Sequence, residues 1–425
     1  MNAREADSAS KYESRQRLLN RALPLVGLVL GAALFLTLDW FRTAAIRRSA
    51  VARGRPENCR VLDPVRHHAF KPNCATIERW GGDTYEFFTN NLGFRDQEIR
   101  EVPLAEPRPR VLILGDSMTE GKLALRDSYV GRISAHFPQY AFLNGGMASY
   151  SPSNYLNVAR MLLAKGVDID DVIVFIDISD VQDEAAVYRD VDASGDVTQH
   201  KRGPYVMSRL ANWRFRISKY LLLTNYLFEF CERLLVNHGF YHLSAGPLGD
   251  TFDMERSAWT YRKVNETGPY PYGYGPLGVE GGIAKEKAKM DLLWQELEKR
   301  NIPLSVVVYP WPAQVVHDTE DSGQVRIWRD WCEGKCKRFI SLFPAVLAVK
   351  DQCPRIKPGC WYRSLHIFGD VHFNARGNAL VADAVIKSLA EEPPTKRLRR
   401  VAGPDSSKET KGSVRFSGRG HDRSQ

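Results

Sequence analysis

The stretch that decides the fold reads Val111-Leu-Ile-Leu-Gly-Asp-Ser-Met-Thr-Glu-Gly121. Its first four residues are apolar, which predicts a buried parallel strand, and the run breaks at Gly-Asp-Ser. Open α/β sheets place their chemistry at the carboxyl ends of such strands. Ser117 is therefore a candidate nucleophile.

A candidate base for this serine lies far along the chain, in Gly369-Asp-Val-His-Phe-Asn-Ala-Arg-Gly-Asn378. This segment places Asp370 two residues before His372, just ahead of a predicted helix at 374–389. A serine hydroxyl attacks well near neutral pH only while a histidine takes its proton and a carboxylate holds that histidine. The two segments together predict a catalytic triad of Ser117, Asp370 and His372.

Both segments resemble the SGNH (GDSL) hydrolase superfamily, and the chain order of serine, aspartate and histidine agrees with it. The resemblance covers residues 88–390 and implies a three-layer, flavodoxin-like α/β fold with a parallel sheet, as well as serine esterase or O-acyltransferase activity. Many SGNH esterases have Asp-x-x-His. The shorter Asp-x-His found here resembles the branch that O-acetylates bacterial exopolysaccharides, while the continuation also looks like uncharacterised envelope SGNH proteins.

Two further segments match family positions for the oxyanion hole. Gly146 falls where the superfamily places a glycine whose backbone N–H binds the oxyanion; alternatively, the glycines at 145 and 146 simply allow a turn with positive φ. Ser179 occupies the position of the family's asparagine. Because serine is shorter than asparagine, Asn154 or a backbone N–H is the alternative donor.

The remaining pattern predicts an α/β domain at 102–390. Strands are predicted at 111–114, 141–143, 172–178 and 304–308, with helices at 154–164 and 284–299 between them. The crossover at 182–282 is far longer than usual and predicts an insertion that carries substrate specificity.

Aromatic residues near the expected active-site rim are candidates for substrate binding. The insertion ends in the loop Gly268-Pro-Tyr-Pro-Tyr-Gly-Tyr-Gly275, whose tyrosines could stack on a sugar. They are Tyr270 and Tyr272, on either side of Pro271, and Tyr274. Trp311, after the last predicted strand, could face the substrate or equally plug the sheet.

The N-terminal region contains an uncharged apolar run, Leu23–Leu38, flanked by arginines. It predicts a single transmembrane anchor at 22–41, with 1–21 cytoplasmic and a linker and extension at 42–101. A cleaved signal peptide is the alternative, although the Ala-x-Ala site at 50–52 lies well beyond the run.

Seven cysteines include three close pairs, Cys59 with Cys74, Cys332 with Cys336, and Cys353 with Cys360. Each pair could close a short loop in an oxidising compartment, which predicts an inner-membrane protein with a periplasmic or otherwise extracytoplasmic catalytic domain. A zinc site formed by the last four cysteines is the alternative, but their spacing is poor for it. Cys231, in an apolar helical stretch, is expected to be a buried thiol.

Composition excludes few classes of function. The chain is 44% hydrophobic and 26% charged, as expected for a folded protein, and its net charge is +9. The basic segment 391–425 predicts a disordered tail near an anionic envelope surface. No nucleic-acid-binding motif is present, so we expect no nucleic-acid partner.

The sequence thus predicts a membrane-anchored SGNH enzyme that needs no cofactor and no metal. It would remove or transfer acyl groups, acetyl above all, on an envelope glycan or a small ester through an acyl-serine. Transfer would require a membrane protein that donates the acyl group. The alternative is a non-catalytic glycan-binding or assembly protein on the same scaffold.

Overall fold

The computed structural model describes residues 3–52, 59–81, 83–190, 197–199, 217, 220–243, 248, 251–252, 254–261 and 274–397. The strands are β1 (Arg60–Asp63), β2 (His67–Phe70), β3 (Ala75–Trp80), β4 (Asp83–Thr89), β5 (Arg95–Asp96), β6 (Arg110–Leu114), β7 (Ala141–Asn144), β8 (Asp171–Ile176), β9 (Tyr188–Asp190), β10 (Val197–Gln199), β11 (Leu304–Val308) and β12 (Arg338–Ser341). The helices are α1 (Ala3–Ala52), α2 (Ser117–Glu120), α3 (Tyr129–His136), α4 (Pro152–Ala164), α5 (Ile178–Ala186), α6 (Leu222–Asn237), α7 (Met254–Ser257), α8 (Gly278–Glu298), α9 (Pro312–His317), α10 (Gly323–Cys332), α11 (Phe343–Asp351), α12 (Cys360–Leu365) and α13 (Ala375–Glu391).

One eight-stranded sheet organises the domain, in the order β12-β11-β8-β6-β7-β5-β4-β3. The first five strands are parallel, and the last three continue the sheet in antiparallel pairing. Residues of β6, β8 and β11 are buried throughout, which explains their almost unbroken apolar runs. Helices α4 and α5 pack on α8, and α3 packs on α13. The predicted α/β class with a largely parallel sheet is confirmed.

Helix α1 contains a stretch, Ala22–Ala45, with the length and the hydropathy of a membrane-crossing helix. The predicted span at 22–41 lies inside it. A helix of this kind near an N-terminus is common to membrane anchors and signal sequences.

The predicted cysteine pairs form three disulfides: Cys59–Cys74, Cys332–Cys336 and Cys353–Cys360. The last four cysteines therefore bond to one another rather than serving as zinc ligands. The prediction for Cys231 is wrong, because its side chain is exposed on α6.

Two predicted boundaries lie close to described contacts. Helix α5 ends at Ala186 and α8 begins at Gly278, so both helices extend into the predicted insertion, 182–282. Within the predicted tail, 391–425, Lys396 and Arg397 both bind the carboxylate of Asp170. Residues 398–425 lie outside the described part of the chain.

Candidate active site

Ser117 is the first residue of α2, directly beyond the carboxyl end of β6. The side chain of Asp116 accepts a hydrogen bond from the Met118 N–H at 2.8 Å and so caps this short helix. A Cβ at Gly115 would lie 1.9 Å from the Thr119 hydroxyl oxygen, so only glycine fits there. The Gly-Asp-Ser sequence thus turns the chain sharply and presents the serine at the edge of the sheet.

The structure brings Ser117, His372 and Asp370 into one hydrogen-bonded relay. His372 Nε2 lies 2.8 Å from Ser117 Oγ, and His372 Nδ1 lies 2.6 Å from Asp370 Oδ1. With the Nδ1 proton donated to Asp370, Nε2 is free to accept the serine proton. Burial opposes ionisation of Asp370, but the charge of His372 and hydrogen bonds from His372 and Trp80 outweigh it and lower the pKa of Asp370 to about 2. Asp370 is therefore ionised at neutral pH.

Asp370 is held by two further residues that the sequence did not single out. The Trp80 indole N–H donates to Asp370 Oδ2, and the Trp80 ring lies edge-on to the His372 ring with centroids 5.4 Å apart. The Tyr362 hydroxyl accepts from the Asp370 N–H at 2.8 Å and donates to the Asp370 carbonyl at 2.9 Å. Trp80 ends β3, so the N-terminal extension contributes directly to the site.

The buried carboxylate of Glu120 joins that extension to the rest of the site. It lies 2.6 Å from the Arg60 guanidinium and 2.5 Å from Lys122 Nζ, and it accepts from the Ala148 N–H at 2.8 Å. Burial alone would raise the pKa of Glu120, but Lys122 and Arg60 outweigh it and hold that pKa well below its usual range. Glu120 therefore fixes β1 and the loop after β7 against α2.

Arg95, in the Asn-Asn-Leu-Gly-Phe-Arg segment that precedes β6, holds the other end of α2. Its buried guanidinium donates to the carbonyls of Glu120 and Gly121, both at 2.6 Å, and to that of Leu123. Phe94 of the same segment is buried in the core, so the segment both packs on the domain and holds α2.

Ser117 and His372 open on a pocket of about 530 Å³. Its other lining residues combine polar and aromatic groups: Arg60, His67, His68, Trp80, Lys122, Ala148, Ser149, Val187 and Tyr188.

His68 Nε2 lies 2.7 Å from the Ala148 carbonyl oxygen and therefore carries a proton, while its Nδ1 lies 2.9 Å from His67 Nδ1. Burial lowers the pKa of His68, so it acts as a neutral link between His67 and the loop.

Ser149, rather than Gly146, is among the residues that line this pocket. Gly146 donates its N–H to Asn144 Oδ1 at 3.1 Å, and a Cβ there would lie 2.4 Å from the Thr119 Cβ, so this glycine serves close packing rather than the oxyanion. Ser149 has φ +61°. Within the described residues, the N–H groups of Ser117 and Ser149 have no acceptor. No motif in the sequence indicated Ser149.

Neither predicted side-chain donor is available for an oxyanion. The Ser179 hydroxyl donates to Asp177 Oδ1 at 2.6 Å. Asn154 is fully buried, and its amide donates to the Arg66 carbonyl at 2.8 Å. Both side chains are already used for local structure.

The predicted substrate-binding aromatics that the structure describes do not line the pocket either. Trp311 is 8% exposed and donates its indole N–H to Asp177 Oδ2 at 2.7 Å, so it plugs the sheet edge. Tyr274 is 3% exposed and donates to the Arg256 carbonyl at 2.9 Å. The rest of the tyrosine loop, residues 270–272, lies outside the described residues.

Asp116 is the second acid beside the serine, and it differs from Asp370. Burial and the neighbouring Asp177 raise the pKa of Asp116 to about 8. The Tyr309 hydroxyl donates to Asp116 Oδ1 at 2.9 Å. Asp116 thus bonds to the Met118 N–H and the Tyr309 hydroxyl, whereas Asp370 is the carboxylate that bonds to His372.

Comparisons with known proteins give matches among solved structures only; no family model and no curated protein matches. The psychrotrophic esterase EstA from Pseudoalteromonas sp. is 9% identical, with 66% of this chain and 97% of that chain covered and a TM-score of 0.32. A lipolytic protein of the G-D-S-L family from Veillonella parvula is 11% identical, with 66% and 98% covered and a TM-score of 0.33. The SGNH-hydrolase family esterase AlinE4 is 13% identical, with 68% and 100% covered and a TM-score of 0.28. The names agree with the resemblance in the motifs, but these values are too low to carry an activity over to this chain.

Proposed function

We propose that this chain is an SGNH-type serine hydrolase that acts on acyl esters through an acyl-Ser117 intermediate. The observation that supports this most strongly is the continuous relay from Asp370 through His372 to Ser117, which opens on a pocket large enough for an ester substrate.

In the first half of the reaction, Ser117 Oγ forms a bond to the ester carbonyl carbon while its proton moves to His372 Nε2. Asp370 stabilises the imidazolium that results. The N–H groups of Ser117 and Ser149 bind the oxyanion. The tetrahedral intermediate then collapses, the bond to the alcohol oxygen breaks, and His372 returns the proton to the departing alcohol.

In the second half, His372 removes a proton from the acceptor hydroxyl, and the acceptor oxygen attacks the acyl carbon. The bond between the acyl carbon and Ser117 Oγ then breaks, which releases the acylated product. His372 returns the proton to Ser117 Oγ. Water as acceptor gives ester hydrolysis, and a sugar hydroxyl gives O-acyl transfer. Both outcomes use the same residues.

We propose an acetylated envelope glycan as the substrate. Three features support this: the aromatic and polar lining of the pocket, the disulfides, which favour an oxidising compartment, and the stretch Ala22–Ala45 of α1, which has the length and hydropathy of a membrane-crossing helix. If transfer is the reaction, a separate membrane protein must donate the acyl group.

The test uses the full-length chain in detergent. Release of p-nitrophenol from p-nitrophenyl acetate is measured first, followed by acetate release from acetylated oligosaccharides and acetyl transfer to unmodified oligosaccharides. Ser117→Ala and His372→Ala should abolish all three activities, whereas His136→Ala, at an exposed histidine on α3, should leave them unchanged. A native chain that binds glycan but shows none of these activities would instead be a binding protein on this scaffold.

A further inference from the structure

Helix α6 of the insertion carries its apolar residues on the outside. Tyr226, Leu227, Phe230 and Leu234 are 59%, 56%, 58% and 46% exposed, and Cys231 is exposed among them. Their spacing of three and four residues places them on one face. We call these five residues the α6 stripe; it contains no charged side chain.

The inward face of α6 is fixed firmly to the catalytic domain. Val236 and Glu232 are buried, and the Arg233 guanidinium lies 4.5 Å from the centroid of the Phe368 ring. A Cβ at Gly359 would lie 2.1 Å from the Val236 carbonyl oxygen, so the end of α6 is in close contact with the chain before α12. The outward direction of the stripe is therefore set by packing on the opposite face.

The N-terminus of α6 is capped by α1. Asp39 accepts hydrogen bonds from the N–H groups of Leu223 and Thr224 at 2.9 and 2.8 Å, and Thr43 Oγ1 accepts from the Leu222 N–H at 3.0 Å. The first N–H groups of a helix lack partners within it, and a carboxylate is a favourable acceptor for them. Asp39 and Thr43 are fully buried in this contact.

This cap places the N-terminus of α6 beside the end of the apolar run of α1 that is the candidate membrane span. Asp39 directly follows the uncharged run Leu23–Leu38, whose leucine side chains are 41–74% exposed. If that run crosses the bilayer, Asp39 marks the height at which it ends. Helix α6 begins at this height with an outward stripe of leucine, phenylalanine and tyrosine, the residue types that favour the boundary between headgroups and acyl chains.

We propose that α6 lies in the surface of the bilayer that α1 crosses, with the α6 stripe buried among the lipids. The lipid-exposed surface of α1 then continues directly into the stripe. Two contacts, one through the Asp39 cap and one through the stripe, hold the catalytic domain against the membrane in a fixed orientation. This proposal does not depend on the ester chemistry proposed above.

The test labels the native Cys231, since the other six cysteines of the chain form the three disulfides. The full-length protein, carrying an environment-sensitive NBD fluorophore at Cys231, is placed in nanodiscs of phosphatidylethanolamine and phosphatidylglycerol. Quenching by lipids with a nitroxide on an upper acyl carbon is compared with quenching by aqueous iodide. A matched control carries the label at an exposed site on α13, in Cys231→Ser/Asp383→Cys.

We expect nitroxide lipids to lower the Cys231 signal at least roughly twofold, with little iodide quenching, and the control to show the reverse. A Cys231 label that responds as the control does would overturn the proposal. Protection from both quenchers would also overturn it, because a protein, either a second copy or another partner, would then cover the stripe.

Discussion

Replacing Asp370 with asparagine tests the relay through a detail of its geometry. Trp80 donates to Oδ2 of Asp370, while Oδ1 accepts from His372 Nδ1. In Asp370→Asn, the Trp80 N–H requires the amide oxygen at its own position, which turns the amide NH₂ towards His372. His372 Nδ1 must then accept, so Nε2 carries the proton and can no longer take one from Ser117.

A triad with the wrong histidine tautomer loses about 10⁴-fold in kcat, equivalent to about 5.5 kcal/mol. The amide is held in this orientation chiefly by the Trp80 hydrogen bond, which contributes about 1 kcal/mol. The backbone N–H of His372, at 3.3 Å from Oδ1, favours the opposite orientation weakly. Removal of the indole N–H by Trp80→Phe should therefore let the amide rotate and restore a fraction of the activity, about 5- to 10-fold.

The assay is a double-mutant cycle of kcat/KM for p-nitrophenyl acetate at pH 7.5, with the full-length protein in detergent. The expected order of activity is wild type, then Trp80→Phe, then the double variant, with Asp370→Asn the least active. In the protein that keeps Asp370, Trp80→Phe should lower kcat/KM by less than about tenfold. The carboxylate stays ionised, and residue 80 still carries an aromatic ring beside His372.

Two results would refute this reasoning. An Asp370→Asn variant within tenfold of wild type would show that the relay is not used in catalysis. A double variant less active than Asp370→Asn would show that Trp80 does not set the orientation of the amide.

Three further predictions concern the surroundings of the site. Burial lowers the pKa of His366 to about 3, against about 6.5 in the unfolded chain, so unfolding takes up a proton between these values and stability falls as the pH drops below about 6.5. Between pH 7 and pH 5, the free energy of unfolding in urea should fall by about 2 kcal/mol more in wild type than in His366→Phe. Equal falls would show that the pKa of His366 is not lowered in the folded protein. Glu120→Gln leaves Arg60 and Lys122 without their buried carboxylate partner and should destabilise the fold by about 3–5 kcal/mol, measured as a lower Tm. An unchanged Tm would show that Glu120 does not hold β1 against α2. Trp311→Phe removes the hydrogen bond to Asp177 at the sheet edge, so it should cost about 1–3 kcal/mol of stability but leave KM within about twofold of wild type. A large rise in KM would show that Trp311 contacts the substrate.

The central strands and the triad were accessible from the sequence for physical reasons. A strand buried on both faces is apolar along most of its length, so β6, β8 and β11 stand out as almost unbroken apolar runs. The triad residues lie in short segments whose residue types and order are dictated by the chemistry. Their distances match that expectation, while their catalytic role stays a prediction until activity is measured.

The residues that support the triad were not accessible in this way. Trp80, Glu120 and Ser149 act through contacts between segments that are distant in sequence. No local sequence pattern predicts such contacts. The positions of Trp311, for which the sequence left the substrate and the sheet edge equally open, and of Tyr274, a candidate for stacking on a sugar, depend on contacts of the same kind. Their polar atoms found buried partners, Asp177 and the Arg256 carbonyl, which a loop sequence does not reveal.

The most direct test of an acyl-serine mechanism is the intact mass of the full-length protein after brief exposure to p-nitrophenyl acetate, with peptide mapping of the modified residue. We expect one acetyl group on Ser117, present in wild type and missing from both Ser117→Ala and His372→Ala. An acetyl group on another residue, or an adduct that persists in Ser117→Ala, would contradict it.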